Sequence, residues 1–434
     1  MIMEDRYINL INRTQVVNKR LRNALFKATK KMEDIRRVPF HGKMANGMPT
    51  ESLGPFPEFI LPTHPCLKTL QGYCSPCFFS KVPMSVQSRD QIYDSLIVQT
   101  EYIVEHFDDV VIGFQAREDH LKDIWDVTFC YACNGSLFSD AETTRKTRKQ
   151  VFQMLVDEIE KRKLKPLVYI ETCVCDYINF LNSEEYKDIY PLLKKLNAII
   201  LFGFESVNDI TRNLIYLKGL ELNEFEQAVM RNNEIGLQTG AFLYLGFHSM
   251  TQLEIIEDAT KSLCYLNKLN VMPVLMYPNI HEFTLTHLLY TYGKYNLIDP
   301  RTAWRIFEIA EEITSEINVK RDRWLMGDLY GGPPVPPNNF FNNKYKISCD
   351  SCSELIRTNL QRKRKNQDII LGDEINKKLE NCSCSCNNKY LEYIEKERDT
   401  YGKRDILDRI EENIIFAEQH CDEYINKMGI NKNE

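Results

Sequence analysis

Cys66, Cys74 and Cys77 stand in one short loop with the spacing C-x7-C-x2-C, just after the apolar run at 59–61 and among proline, glycine and aromatic residues. Three clustered thiols in one loop point to a metal. A tetrahedral zinc ion needs a fourth nitrogen or sulfur donor nearby, and only His64 offers one. An iron–sulfur cube held by three cysteines leaves one iron free, and an open iron can chelate a small molecule through its amino and carboxylate groups. Three thiols packed as small hydrophobes are the bland alternative, and a polar loop is a poor place for them.

A second group lies in the tail. After the proline-rich stretch at 333–337 come Cys349-x2-Cys352, the basic run at 361–365, and then Cys382, Cys384 and Cys386. C-x2-C followed farther on by C-x-C is the spacing of a four-thiolate knuckle, for which closed tetrahedral zinc is the simplest occupant. The pairs Cys130/Cys133 and Cys173/Cys175 stand near predicted strand ends. Alternation of side chains along a strand places Cys173 and Cys175 on one face and separates Cys130 from Cys133, so packed thiols compete here with metal ligands or a radical-relay cysteine.

The elements that must position these groups alternate. Strand-like runs recur at 59–61, 110–114, 127–131, 167–170, 198–204, 241–245 and 271–276, and apolar residues at helical spacing mark 88–106, 142–163, 223–235 and 252–269. Repeated β then α predicts a parallel sheet, open or curled into a partial barrel, with its chemistry at the carboxyl-terminal ends of the strands. Residues 9–37 read as a basic amphipathic helix, either a solvated face lying across the barrel opening or an arm for RNA or a partner. The sequence divides into a helical and linker segment at 1–57, a core at 58–325 and a cysteine-rich helical extension at 326–434, in which 389–428 reads as a solvated charged cap.

The chain has 434 residues and a net charge of −6. That gives no global basic field for nucleic acid, although a local patch remains open. Fourteen cysteines without a secretion signal or an apolar run long enough to cross a bilayer predict a cytoplasmic, reducing setting and no membrane partner.

Beyond these spacings, the strand ends carry CNGSLFSD after 127–131, YIETCVC with Glu171, and GFESVND with Glu205 and Ser206, followed by Lys218-Gly219. With the three-cysteine loop, FLYLGFHSMTQLEIIEDATKSL and MYPNIHEFTLTHLLYTYGKYNLIDPRTAW, the order of these motifs resembles the radical SAM superfamily. More narrowly it resembles the branch of the Elongator catalytic subunit, and most of all the radical SAM lyases of archaeosine synthesis, over residues 59–390. The resemblance implies a partial TIM-like (β/α)6 barrel and a 4Fe-4S cluster on Cys66, Cys74 and Cys77. It also implies S-adenosylmethionine bound through the open iron and through Asn134, Gly135, Ser136, Glu171, Glu205 and Ser206, and an electron donor such as flavodoxin or ferredoxin. Aligned on Tyr390, Cys384 and Cys386 match that family's tail pair and join Cys349 and Cys352 as ligands of a second metal, zinc or an auxiliary iron–sulfur cluster; Cys382 is extra.

The sequence departs from the family at Pro76, where relatives carry an aromatic residue, and at Gly246, Phe247 and His248 after the fifth strand. His248 is read as a structural histidine or a proton donor. Three readings of function follow. The first is radical chemistry on a small metabolite, peptide or natural-product intermediate. The second is a lyase acting on a lysine-modified deazaguanine in tRNA, and the third a zinc-only nucleic-acid-binding module.

Overall fold

The computed structural model describes residues 2–32, 56–61, 66–77, 89–113, 125–133, 135–278, 280–295, 297–315, 325–326, 348–364, 373–382 and 384–428. Its centre is a sheet of β1 (Glu58–Leu61), β2 (Val127–Cys133), β3 (Pro166–Thr172), β4 (Ala198–Glu205), β5 (Gln238–Tyr244), β6 (Met272–Met276) and the two-residue β7 (Leu325–Met326), lying side by side in chain order. Every neighbouring pair is parallel. Parallel crossovers are right-handed, so an order that never reverses sends every crossover over the same face. The helices therefore cover one side while the other curls inward, as in a barrel and unlike a doubly wound sheet. β1 and β7 remain the edges. This is the partial TIM-like barrel expected from the sequence, extended by one short strand.

α1 (Ile2–Met32) precedes the sheet, and α2 (Leu67–Leu70) and α3 (Arg89–Glu105) follow β1. The later crossovers carry α4 (Arg145–Arg162), α5 (Val174–Leu181), α6 (Tyr186–Lys195), α7 (Leu222–Ile235), α8 (Gln252–Lys268), α9 (Leu285–Thr291) and α10 (Pro300–Ser315). The extension adds α11 (Asp350–Arg364), α12 (Asp373–Glu380), α13 (Cys386–Glu397) and α14 (Ile406–Lys427). Local chemistry sets several ends: Thr251 and Glu254 form a reciprocal capping box on α8, and Gly236 closes α7 at φ 73°.

Alternation divides the sheet's side chains between two layers. Phe129 and Tyr131 of β2 pack with Phe152 and Leu155 under the helices, whereas Cys130 and Ala132 face Tyr169, Ile199 and Leu201 inside the barrel.

Three expectations are corrected. Residues 110–114 do not form a strand: Asp108–Ile112 is a wide helical turn continuing α3, and 114 lies outside the described residues. A short apolar run fits a buried helix as well as a strand, and here Val110 and Val111 are buried beside Phe107. Cys173 and Cys175 do not share a strand face, because β3 ends at Thr172 and both lie at the start of α5. The solvated cap at 389–428 is instead partly core. Ile410, Ile414, Ala417, Cys421 and Tyr424 form a buried stripe of α14, which packs against α1 and α9.

That packing also engages three arginines of α1. Arg6 pairs with Asp408 and Glu411, Arg13 with Glu418 and Glu411, and Arg20 with Asp422. Most of the long basic helix read at 9–37 is present as α1, and the part beyond residue 32 lies outside the described residues.

Candidate functional site

The three-cysteine loop sits at the carboxyl-terminal rim of the sheet, between α1 and the turn after β4. Cys66 immediately precedes α2, and the chain then folds back through 71–77, with Cys74 in the left-handed region at φ 55°. The backbone amides of Cys74 and Ser75 donate to the carbonyls of Leu217 and Tyr216 at 3.0 and 2.8 Å. From the other side Asn18 donates to the Gly72 carbonyl at 2.9 Å, and the buried Arg22 guanidinium donates to the carbonyls of Cys74 and Ser75 at 3.2 and 3.4 Å. Buried carbonyls need donors, and α1 supplies them, which locks the loop's shape.

Cys66, Cys74 and Cys77 all act electrostatically on Arg22, and burial followed by Cys173, Cys77, Glu142 and Cys74 pushes the Cys66 thiol well up. Among the described residues, the three sulfurs do not gather within 4.8 Å of one another. Tetrahedral thiolates at zinc–sulfur distances lie only about 3.8 Å apart, whereas thiolates on separate irons of a cube stand wider. His64, Phe78 and Phe79 lie outside the described residues.

Two lysines face this loop. Burial pulls the Lys218 ammonium down, but Glu205, then Cys74 and Cys173, drive it upward overall; Lys68 is raised against burial by Cys173, Cys175 and Cys74. Lys218 donates to Glu205 Oε1 at 2.7 Å, and Glu205 ends β4 at φ 70° with 4% exposure. Gly203 makes this pair possible, since a Cβ there would stand 1.9 Å from Lys218 Nζ. Half-buried cations beside thiols set a positive field where a thiolate cluster and a ligand carboxylate would sit.

Gly135 and Ser136 serve Glu142. A Cβ at Gly135 would fall 1.9 Å from Glu142 Oε2, and the Ser136 amide donates to that oxygen at 2.6 Å. Ser136 Oγ pairs with Thr172 at 2.8 Å and accepts from the Cys173 amide at 3.3 Å, joining the exits of β2 and β3. Burial lifts Glu142 to about 7. Glu171 is lower in the barrel, where it accepts from the Cys130 thiol at 3.7 Å and, with Glu58, forms a compact Glu–Cys–Glu set. Burial raises Glu171 to about 7 as well. Ser206 turns away from the loop, its hydroxyl donating to Asp258 at 2.8 Å. Asn134 lies outside the described residues.

His248 and Tyr244 line a cavity of about 10 Å³, room for one water, with Ser75 and Pro76 on its other wall. His248 Nδ1 is 2.9 Å from Ser249 Oγ, while its Nε2 and the Tyr244 hydroxyl find no protein partner. Burial depresses His248 to about 4, which keeps it neutral near neutral pH.

The tail group closes far more tightly. Cys349, Cys352, Cys382, Cys384 and Cys386 place all five sulfurs within 4.8 Å of one another. Arg301 of α10 reaches the set, donating to Cys352 Sγ at 3.4 Å, and thereby ties it to the barrel. The sulfur chemistry and spacing fit a metal ion.

In the sequence Lys218 and Arg301 appear only within motifs, Arg22 only as one charge of a basic helix, and Glu142 only as the start of a helical stretch. Their partners are 13, 51, 52 and 6 residues away in the chain.

No protein-family model matches the chain, and neither does any curated protein. Among solved structures it is similar to the radical S-adenosylmethionine methyltransferase TsrM from Kitasatospora setae, a structure with cobalamin and a [4Fe-4S] cluster bound. That match has 12% identity and a TM-score of 0.30 over 49% of this chain and 36% of TsrM. It is also similar to archaeal Methanocaldococcus infernus Elp3 with an N-terminal deletion, at 15% identity and a TM-score of 0.40 over 65% of this chain and 62% of that one. The chain therefore spans less than two thirds of either. No helix among the described residues is long and apolar enough to cross a membrane.

Proposed function

We propose that this chain is a radical SAM enzyme whose cluster is held by Cys66, Cys74 and Cys77. The observation that carries this reading is the loop itself: three thiols, clamped by Asn18 and Arg22, at the strand-end rim of a parallel partial barrel, with Lys218 alongside. When bound, such a cluster supplies one electron that cleaves S-adenosylmethionine to a 5'-deoxyadenosyl radical, the species that abstracts hydrogen from substrate.

The residues of this chain prepare that site. Lys218 would offer its half-buried ammonium to the carboxylate of such a cofactor, and Glu205 keeps it charged and oriented. Ser136 and Glu142 brace the β2 exit. The substrate is a small metabolite, peptide or natural-product intermediate, and the electron comes from a small carrier such as flavodoxin or ferredoxin in a cytoplasmic setting. The pairing of Arg6, Arg13 and Arg20 with α14 favours this class over a tRNA substrate, because those charges are already neutralised within the protein.

The test is anaerobic reconstitution with iron and sulfide, followed by SAM and dithionite, with 5'-deoxyadenosine quantified beside Cys74→Ala. Deoxyadenosine that disappears in the variant supports the reading; a loop that takes no iron and yields none overturns it. A salt-dependent gel shift with bulk tRNA distinguishes the substrate classes.

A further inference from the structure

The tail site holds one more thiol than a tetrahedral ion can use. Cys349 and Cys382 are 3.7 Å apart, Cys352 and Cys386 3.6 Å, and Cys352 and Cys384 4.0 Å. These spans match the edge of about 3.8 Å expected for thiolates on one zinc ion. Cys382 and Cys384, however, are only 2.8 Å apart, too close for both to occupy separate vertices.

Hydrogen bonding then separates the two. The Cys352 amide donates to Cys349 Sγ at 3.4 Å, the Cys386 amide to Cys384 Sγ at 3.5 Å and the Cys349 amide to Cys386 Sγ at 3.3 Å, while Arg301 donates to Cys352 Sγ at 3.4 Å. Donors aimed at a sulfur favour its thiolate, and four thiolates around Zn²⁺ carry excess negative charge that the Arg301 guanidinium offsets. Among the described residues, no N–H group donates to Cys382; its hydrogen-bonding neighbours are the sulfurs of Cys349, Cys352 and Cys384.

We infer that Cys349, Cys352, Cys384 and Cys386 hold one zinc ion and that Cys382 is a capture thiol, which a peroxide-class oxidant couples to Cys384, withdrawing that ligand and freeing the metal. The step balances: the Cys382 thiol, the Cys384 thiolate, one hydrogen peroxide and one proton give the Cys382–Cys384 disulfide and two waters. Sulfur is oxidised by two electrons and peroxide is reduced. Zinc left on three thiolates is bound more weakly and dissociates. The inference does not depend on the chemistry at the first loop.

The test uses the zinc-loaded full chain beside Cys382→Ser, with one equivalent of hydrogen peroxide and a chromogenic zinc indicator. The variant should bind as much zinc as the parent and release it roughly tenfold more slowly, and the oxidised parent should yield a peptide spanning 382–384 that lacks two hydrogens. Should the variant fold poorly, iodoacetamide mapping of the zinc-loaded parent decides the same point: Cys382 should be alkylated while the other four thiols are protected. Lower zinc content in Cys382→Ser, equal release rates, protection of Cys382, or preference for an iron–sulfur cluster when iron, sulfide and zinc are offered together would each overturn the proposal.

Discussion

The two cysteine groups are built on opposite plans. In the loop at 66–77 the sulfurs are spread, the backbone around them is held by side chains from α1, and the neighbouring cations are lysines on the barrel side. In the tail the sulfurs are crowded, they are the hydrogen-bond acceptors, and one arginine reaches in from α10. A site that must leave room for a ligand keeps its donors apart and invests in the frame around them; a closed structural site draws its donors together until the metal is enclosed. The difference explains why α1, far from the barrel in sequence terms, is pinned to the loop: without Arg22 and Asn18 its carbonyls would be buried without donors.

The largest expected effects break this contrast outright. Cys74→Ala should eliminate cluster iron and deoxyadenosine formation while zinc at the tail is retained; Cys352→Ala should do the reverse, losing zinc and loosening the extension. Parallel iron and zinc analyses check both, and a variant that loses both metals would mean the sites are one folding unit.

Next comes the frame of the first site. Lys218→Met leaves Glu205 buried without its cation, an expected cost of about 3–5 kcal/mol. Denaturant unfolding should show the loss, and Glu205→Gln in the same background should recover part of it. In the reconstituted enzyme the SAM concentration for half-maximal rate should rise more than kcat falls.

A smaller effect comes from pH. His248 is held to about 4, below its usual 6.5, so the unfolded chain binds a proton more readily than the folded one. Its contribution is present above pH 6.5 and is lost as pH falls toward 4, a change of up to about 3 kcal/mol. His248→Gln should flatten stability across that window, and an unchanged pH profile would remove His248 from the account.

The smallest effect tests the surface of α1. Arg13→Ala breaks partly exposed pairs with Glu418 and Glu411 and should cost under about 1 kcal/mol, less at high salt. A large loss of tRNA retention from the same change would revive the RNA-arm reading.

The sequence by itself determined much of this protein. Short apolar runs separated by helical periods specify a parallel β/α order, because such patterning is written locally, residue by residue, and so are the cysteine spacings that mark both metal groups. It failed where the signal was short or ambiguous, as at 110–114, where a few apolar residues pack equally well in a helix. It also failed at α14, whose apolar stripe is hidden among charges.

Only the tertiary structure decided which groups meet. Lys218 reaches Glu205 because a glycine on β4 leaves space, Arg22 reaches the cysteine loop because α1 is wedged against it by α14, and Cys382 is singled out because four other sulfurs receive N–H donors. Contacts of that kind depend on distances across the fold, and burial gives them their energy by removing water as the competing partner.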